Sequence, residues 1–277
     1  MSNNQCASCK DKTEQCTPET CGKSMILPQN DASEIKHVIG VMSGKGGVGK
    51  SSVSSLLAIS LAREGFKVGI LDADITGPSI PRLFGLKARP EQFNDLLLPV
   101  KTSLGIEVMS LNLLLPAEDD PVIWRGPILS SAVKQFWTDV AWGKLDYLII
   151  DLPPGTGDVP LTVLQSLPLS GLIVVSSPQD LAMMVVKKAI KMVRQVNIPI
   201  LGLVENMSYL VCPHCGEKIQ LFGPGHVAEA ASANELRLLD VLPLDPELAA
   251  LGDAGRIEEY KGGFNIKPIL TITGEAH

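Results

Sequence analysis

The chain has 277 residues, 45% of them hydrophobic and 19% charged, which is the composition of a globular protein long enough to bury a large core. Its net charge of −6 and sequence pI of about 5.3 argue against nonspecific binding to nucleic acid or to an anionic membrane. No apolar run approaches the roughly 18 residues needed to span a bilayer, and the polar N-terminus lacks the apolar segment of a secretory signal. The expected location is therefore the cytosol, where the six cysteines are read as metal ligands or redox groups rather than disulfides.

Residues 1–36 are polar, show little periodicity and hold Cys6, Cys9, Cys16 and Cys21. They are read as a tail or a small metal-ordered module ahead of a 37–277 domain. That domain opens on the apolar run "HVIGVM" (37–42), which has strand character. Further strands are expected at "KVGILD" (67–72), "IEVMSL" (106–111), "DYLIID" (146–151), "LIVVSS" (172–177), "PILGLV" (199–204) and "LLDVLP" (238–243). Several are apolar almost throughout, as strands buried on both faces must be. Helices are expected between them, over 50–64, over 128–141 with Ile128, Ala132, Phe136 and Val140 on one face, and over 181–195 with Ala182, Val185, Ala189 and Val193 together. Asp180 is the expected N-cap of the last. Alternating strands and helices predict an α/β fold, a doubly wound and mostly parallel sheet with its ligand site at the carboxyl ends of the strands.

Gly44-Lys45-Gly46-Gly47-Val48-Gly49-Lys50-Ser51 fits the phosphate-loop pattern G-x-x-x-x-G-K-[ST]. Glycines let backbone N–H groups converge on phosphate oxygens, and the helix that follows directs its N-terminus at the same anion. Lys50 is expected to reach the β/γ-phosphates of ATP, Ser51 to ligate Mg²⁺, and Ser52 to sit beside it at the helix start. Asp151 closes an apolar strand in the Walker B manner, placed to hold Mg²⁺ through water. Asp72 and Asp74 end another strand, and alternate residues of an extended chain share a face, which would aim both at the phosphates. A chance glycine turn and three loop-capping aspartates are the bland alternative, and the strand–loop–helix context argues against it.

The stretch "KGGVGK" resembles the deviant Walker A motif of the MinD/ParA/nitrogenase-iron-protein class of ATPases. The resemblance implies that Lys45 reaches across a homodimer interface to the partner's phosphates and stabilises transition-state charge. "LDADITGPSIPRLFG" (71–85), "IWRGP" (123–127), "DYLIIDLPPGTGD" (146–158) and "ENMSYLVCPHCGE" (205–217) are similar to the Mrp/ApbC group of iron–sulfur carrier ATPases, from about residue 37 to about residue 255. This resemblance implies that Asp74 positions the attacking water, that Asn206 contacts adenine and that Asp151 is the Walker B aspartate. One departure is Val185, where members of the group carry an aspartate that makes a contact across the dimer. No role for Arg125 follows from its chemistry.

Cys212-Pro-His-Cys215-Gly is a tight knuckle presenting two thiolates, half the set that a zinc site or a cluster requires. A two-fold dimer supplies four. The family resemblance implies a [4Fe-4S] cluster bridging two subunits here. A zinc knuckle and a metal-free thiol pair remain open, with His214 read as a turn residue. The tail thiols form a complete set in one chain, which suits a [4Fe-4S] cluster or zinc. They resemble the N-terminal cluster module of eukaryotic members, although the spacing differs.

The resulting expectation is a slow ATPase that carries a cluster to apo iron–sulfur proteins. A MinD- or ParA-like positioning ATPase is the rival, but the C-terminus is not a basic amphipathic helix. An electron-transfer reductase like the nitrogenase iron protein uses separated cysteines rather than a C-x-x-C pair. Lys187, Lys191 and Arg194 are read as a solvated face, Trp124, Trp137 and Trp142 as packing residues, and His37, His226 and His277 carry no supporting pattern.

Overall fold

The computed structural model describes residues 26–74, 77, 79–115, 126–223 and 225–275. In chain order it contains β1 (Ser33–Ser43), α1 (Lys50–Arg63), β2 (Val68–Asp72), α2 (Ile80–Leu83), β3 (Glu91–Phe93), β4 (Leu96–Leu98), β5 (Val100–Lys101), β6 (Glu107–Ser110), α3 (Gly126–Thr138), β7 (Gly143–Asp151), α4 (Asp158–Ser166), β8 (Gly171–Ser176), α5 (Asp180–Gln195), β9 (Ile200–Glu205), β10 (Leu210–Val211), β11 (Lys218–Ile219), α6 (Val227–Ala233), β12 (Leu238–Val241), α7 (Pro246–Asp253) and α8 (Lys267–Thr273). Eight strands form one sheet in the order β12-β9-β8-β1-β7-β2-β6-β5. All neighbours pair in parallel except β5, which runs antiparallel to β6 at the edge. The pairs β3–β4 and β10–β11 are separate short hairpins.

The apolar runs become strands because both of their faces are covered. On β1, Val38 and Met42 pack with one core, which contains Phe136, Trp137 and Val193 from α3 and α5. Ile39 and Val41 pack with the other, which contains Val53, Leu57 and Leu61 from α1 and Ile269 from α8. This two-sided burial is what a period-2 strand in a doubly wound sheet requires. Trp137 and Trp142 are fully buried, in keeping with a packing role; Trp124 lies outside the described residues.

All seven predicted strands form. β1 starts at Ser33, so the sheet takes in residues 33–36 of the segment read as tail. The helix expected over 128–141 ends at Thr138, and Val140 instead bridges to Leu97 beyond it. Asp180 is the first residue of α5 rather than its cap. Gln179, in an extended conformation, holds the N-cap position. Lys187, Lys191 and Arg194 are exposed on α5.

Residues 26–32 lie at the amino ends of the strands. Leu27 N–H donates to the Ser166 carbonyl, and Gly143 N–H donates to the Ala32 carbonyl. The Asn30 amide donates to both the Thr138 and Val140 carbonyls at 2.8 Å. The chain thus enters the sheet from the end opposite the phosphate loop. Cys6, Cys9, Cys16 and Cys21 lie outside the described residues. Among the described residues no helix is long and apolar enough to cross a membrane.

Candidate functional site

β1 delivers the glycine loop to the centre of the sheet, between β7 and β8. The carboxyl ends of its neighbours are in register with it. Val41 pairs with Asp151, Asp151 with Asp72, and Asp72 with Ser110. Parallel register therefore gathers on one rim residues that lie far apart in sequence. Gly47 and Gly49 hold φ values of 79° and 75°, the left-handed region that favours glycine. At Gly49 an added Cβ would also collide with the Asn206 carboxamide.

Lys50, the first residue of α1, points its amine back into the rim. Its Nζ lies 2.8 Å from Asp151 Oδ2 and 3.8 Å from Asp74 Oδ2. Asp151 is fully buried and Lys50 is 6% exposed. Burial of that kind is tolerated only with full partnering, and Asp151 has it. The Ser51 hydroxyl donates to Oδ2 at 2.5 Å and the Ser54 hydroxyl to Oδ1 at 2.6 Å. Ser51, Lys50 and Asp151 thus form one contact set.

β2 ends at Asp72, so the alternation of an extended strand does not carry through to Asp74. Asp72 accepts from the Asp74 N–H at 3.2 Å, the Ser110 hydroxyl at 3.2 Å and the Ile80 N–H at 3.4 Å. Its burial, together with the nearby Asp151 carboxylate, pushes it up to about 8. Asp72 thereby shapes the turn that carries Asp74, while Asp74 itself faces Lys50.

Lys45 donates to Gln179 Oε1 at 2.7 Å. The Ser43 hydroxyl braces the Lys45 carbonyl at 2.9 Å. Asn206, at the carboxyl end of β9, donates through Nδ2 to the Val48 carbonyl at 2.9 Å, which ties it to the loop backbone. Gly44, Gly46 and Gly47 line the loop, and an added Cβ at Gly46 or Gly47 would meet open space. Ser52 follows on α1, half-buried. Arg125 lies outside the described residues, as do the side-chain surroundings of Val185.

Cys212 and Cys215 sit in the turn of the β10–β11 hairpin. The Cys212 N–H donates to the Glu217 carbonyl, and the Gly216 N–H returns to the Cys212 carbonyl, both at 2.9 Å. Gly216 has φ 75°. The Cys215 and His214 N–H groups, in that order, and the Cys215 thiol hydrogen-bond the Cys212 sulfur and hold it below the ordinary thiol range. Backbone amides aimed at a sulfur favour the thiolate, the form that binds metal. Both cysteines are free thiols, with Cys215 exposed. Among the described residues no group of three or more metal-ligating side chains occurs, so within that region one copy offers a pair.

Three residues that contact this rim or the segment next to it escaped the sequence reading: Ser54 on Asp151, Gln179 on Lys45, and Glu205, which accepts from Ser208 and Val227. Ser54 was legible in principle, because it stands three positions after Ser51 and hence on the same helix face. Gln179 had no such signal, since its contact crosses between elements, and neither did the contact of Glu205 with the Val227 N–H, 22 residues on.

Comparison with known proteins agrees with this geometry. The model of the ParA family, described as NUBPL iron-transfer P-loop NTPase, matches residues 34–272. An iron-sulfur cluster carrier protein of Clostridium perfringens is 46% identical over 268 residues, covering 92% of this chain and 94% of that one. A protein of the same name from Aquifex aeolicus is 50% identical over 224 residues, 80% of this chain and 61% of its own length, so the match spans less than two thirds of that relative. A nucleotide-binding protein from Archaeoglobus fulgidus, solved in complex with ADP and with Co found in it, superposes with a TM-score of 0.75 at 49% identity, covering 82% of this chain and 90% of that one. MinD of Aquifex aeolicus shares the fold with a TM-score of 0.59 at 18% identity, over 87% and 98% of the two chains. A glycine loop after β1, a buried aspartate wired to it and a two-cysteine hairpin after β9, two strands across the sheet, thus coincide with a match across nearly the whole described region, and the chain belongs to the NUBPL iron-transfer P-loop NTPase family.

Proposed function

We propose that this protein is an ATP-hydrolysing carrier that holds a [4Fe-4S] cluster between the Cys212–Cys215 pairs of two copies and passes it to apo iron–sulfur proteins in the cytosol. The observation that carries the reading is the hairpin: two thiols in a tight turn, one of them held toward the thiolate by backbone amides, a few residues beyond Asn206, which grips the phosphate loop. Two thiolates per copy become the four ligands of a cluster only when two copies meet.

In this reading Lys50 neutralises the β/γ-phosphates, the loop amides cradle them, and Asn206 contacts adenine. Ser51 and Asp151 would hold Mg²⁺, which supplies charge neutralisation at the phosphates when bound. Asp74 orients the attacking water. Lys45 exchanges Gln179 for the partner copy's phosphates when two copies close, and its charge then falls where the transition state is most negative. Nucleotide would bias an open and a closed dimer, and with them the hold on the cluster. The tail cysteines would carry a second metal set.

Anaerobic reconstitution tests the proposal. Wild type, the Cys212→Ala/Cys215→Ala variant and a chain lacking residues 1–25 are compared for iron, sulfide and zinc content, absorption spectrum and reactivation of an apo-[4Fe-4S] enzyme. The double variant is expected to keep tail-bound iron and lose transfer; the truncation is expected to keep transfer. Undiminished transfer by the double variant overturns the assignment. Tight stoichiometric zinc at the hairpin in anaerobically prepared protein favours a structural knuckle.

A further inference from the structure

Glu205 is a buried carboxylate, 4% exposed, that the proposed chemistry does not use. A carboxylate in such a place costs several kcal/mol unless its oxygens are hydrogen-bonded. Both oxygens are occupied, and by opposite ends of the same excursion. The Ser208 hydroxyl donates to Oε1 where the chain leaves β9 for the cysteine hairpin. The Val227 N–H donates to Oε2 at 3.2 Å where the chain returns at α6. Gly225 packs so closely on the carboxylate that a Cβ there would collide with it. A carboxylate is an acceptor at two separate oxygens, which is what holding both feet of the hairpin demands.

The next residue faces the other way. Asn206 is 5% exposed; its N–H donates to the Ser176 carbonyl at 2.8 Å and its amide to the Val48 carbonyl at 2.9 Å. Val48 C=O and Gly49 N–H belong to one planar peptide unit. A phosphate drawn to the loop amides acts on that unit, and its carbonyl is the one Asn206 holds. Met207, with φ 57°, joins the two grips in a conformation costly for a non-glycine residue, which persists only where the surroundings enforce it.

We propose that Glu205 is a positioning residue: it clasps both feet of the cysteine hairpin to the segment that Asn206 pins to the phosphate loop, so that nucleotide in the loop alters the accessibility of Cys212. The inference rests on reading the loop as the nucleotide site and goes beyond the carrier proposal by naming the route between that site and the cysteines. Neither Glu205 nor Ser208 touches nucleotide or metal in it.

The test uses the full chain, with ADP·Mg²⁺ as the nucleotide and iodoacetamide as the thiol probe, and maps alkylation to Cys212 and Cys215 by mass spectrometry. In wild type, ADP·Mg²⁺ is expected to change the Cys212 rate by about fivefold or more, the scale of ordinary site-to-site coupling. Ser208→Ala and Glu205→Ala should abolish that response while binding ADP as tightly as wild type. Glu205→Gln should retain it, because its amide oxygen can accept from Val227 while its NH₂ donates to the Ser208 hydroxyl. A variant that merely loosened the fold would weaken ADP binding as well. If Glu205→Ala fails to fold, Ser208→Ala decides alone. A full response in Ser208→Ala, or no response in wild type that binds ADP, overturns the clasp and leaves the carrier reading standing. Wild type that does not bind ADP overturns both.

Discussion

The Ser54 hydroxyl lies 2.6 Å from Asp151 Oδ1, on the opposite side of the carboxylate from Lys50 and Ser51, which share Oδ2. Asp151 is therefore held from two sides by α1, and its plane is set before any phosphate arrives. In the proposed Mg²⁺ site, such support of the carboxylate by neighbouring donors would tune both orientation and affinity.

Ser54→Ala should remove one donor and leave a buried carboxylate oxygen unpaired, at a cost of about 1–3 kcal/mol. The expected result is a lower Tm together with a higher Mg²⁺ concentration for half-maximal ATP hydrolysis. Thermal unfolding and an Mg²⁺ titration of turnover check it. A variant indistinguishable from wild type in both would show that Ser51 and Lys50 suffice to hold Asp151.

Lys50→Ala strips the cation from a fully buried carboxylate. Breaking such a pair costs about 3–5 kcal/mol, so the variant should be destabilised as well as unable to bind ATP. Calorimetric titration with ATP, beside denaturant unfolding, separates the two effects. Normal ATP affinity and turnover would refute the assignment of the loop.

Lys45→Ala should behave differently. The lysine contacts Gln179 of its own chain and is proposed to act on the partner copy's phosphates, so ATP binding is expected to survive while hydrolysis falls by about a hundredfold, as when one transition-state donor is lost. Asp74→Asn should be inactive for the separate reason that the attacking water loses its carboxylate. Mixing the two variants should restore part of the activity, because one composite site receives lysine and aspartate from different copies. Proven heterodimers with no more activity than either parent would eliminate action in trans.

The Cys212 thiol should titrate below an ordinary cysteine, because the Cys215 and His214 N–H groups stabilise its thiolate. The native alkylation rate of Cys212 should therefore rise at lower pH than in urea-unfolded chain, where the knuckle is lost. The sign follows from linkage: the folded hairpin binds its proton less tightly, so this contribution to stability appears above the folded pKa and fades as pH falls through it. Coincident native and unfolded profiles would contradict the amide contacts.

Much of the molecule was legible in one dimension because its determinants are local. The seven apolar runs, the loop glycines, Lys50, Ser51 and the terminal Asp151 each follow from short-range pattern: burial on both faces for the strands, and left-handed backbone with amides converging on an anion for the loop. The C-x-x-C-Gly knuckle is likewise a five-residue feature. What the sequence could not decide was contact between elements. Strand alternation was the ground for pairing Asp72 with Asp74, but the strand ends at Asp72, whose carboxylate accepts from the Ser110 hydroxyl and the Asp74 N–H. Ser54 on Asp151, Gln179 on Lys45 and Glu205 across the hairpin depend on parallel register and on the places where strands stop. Those are set by packing two cores against one sheet. A residue's type and spacing can announce the chemistry it is able to do; which neighbour it does it with is a property of the assembled rim.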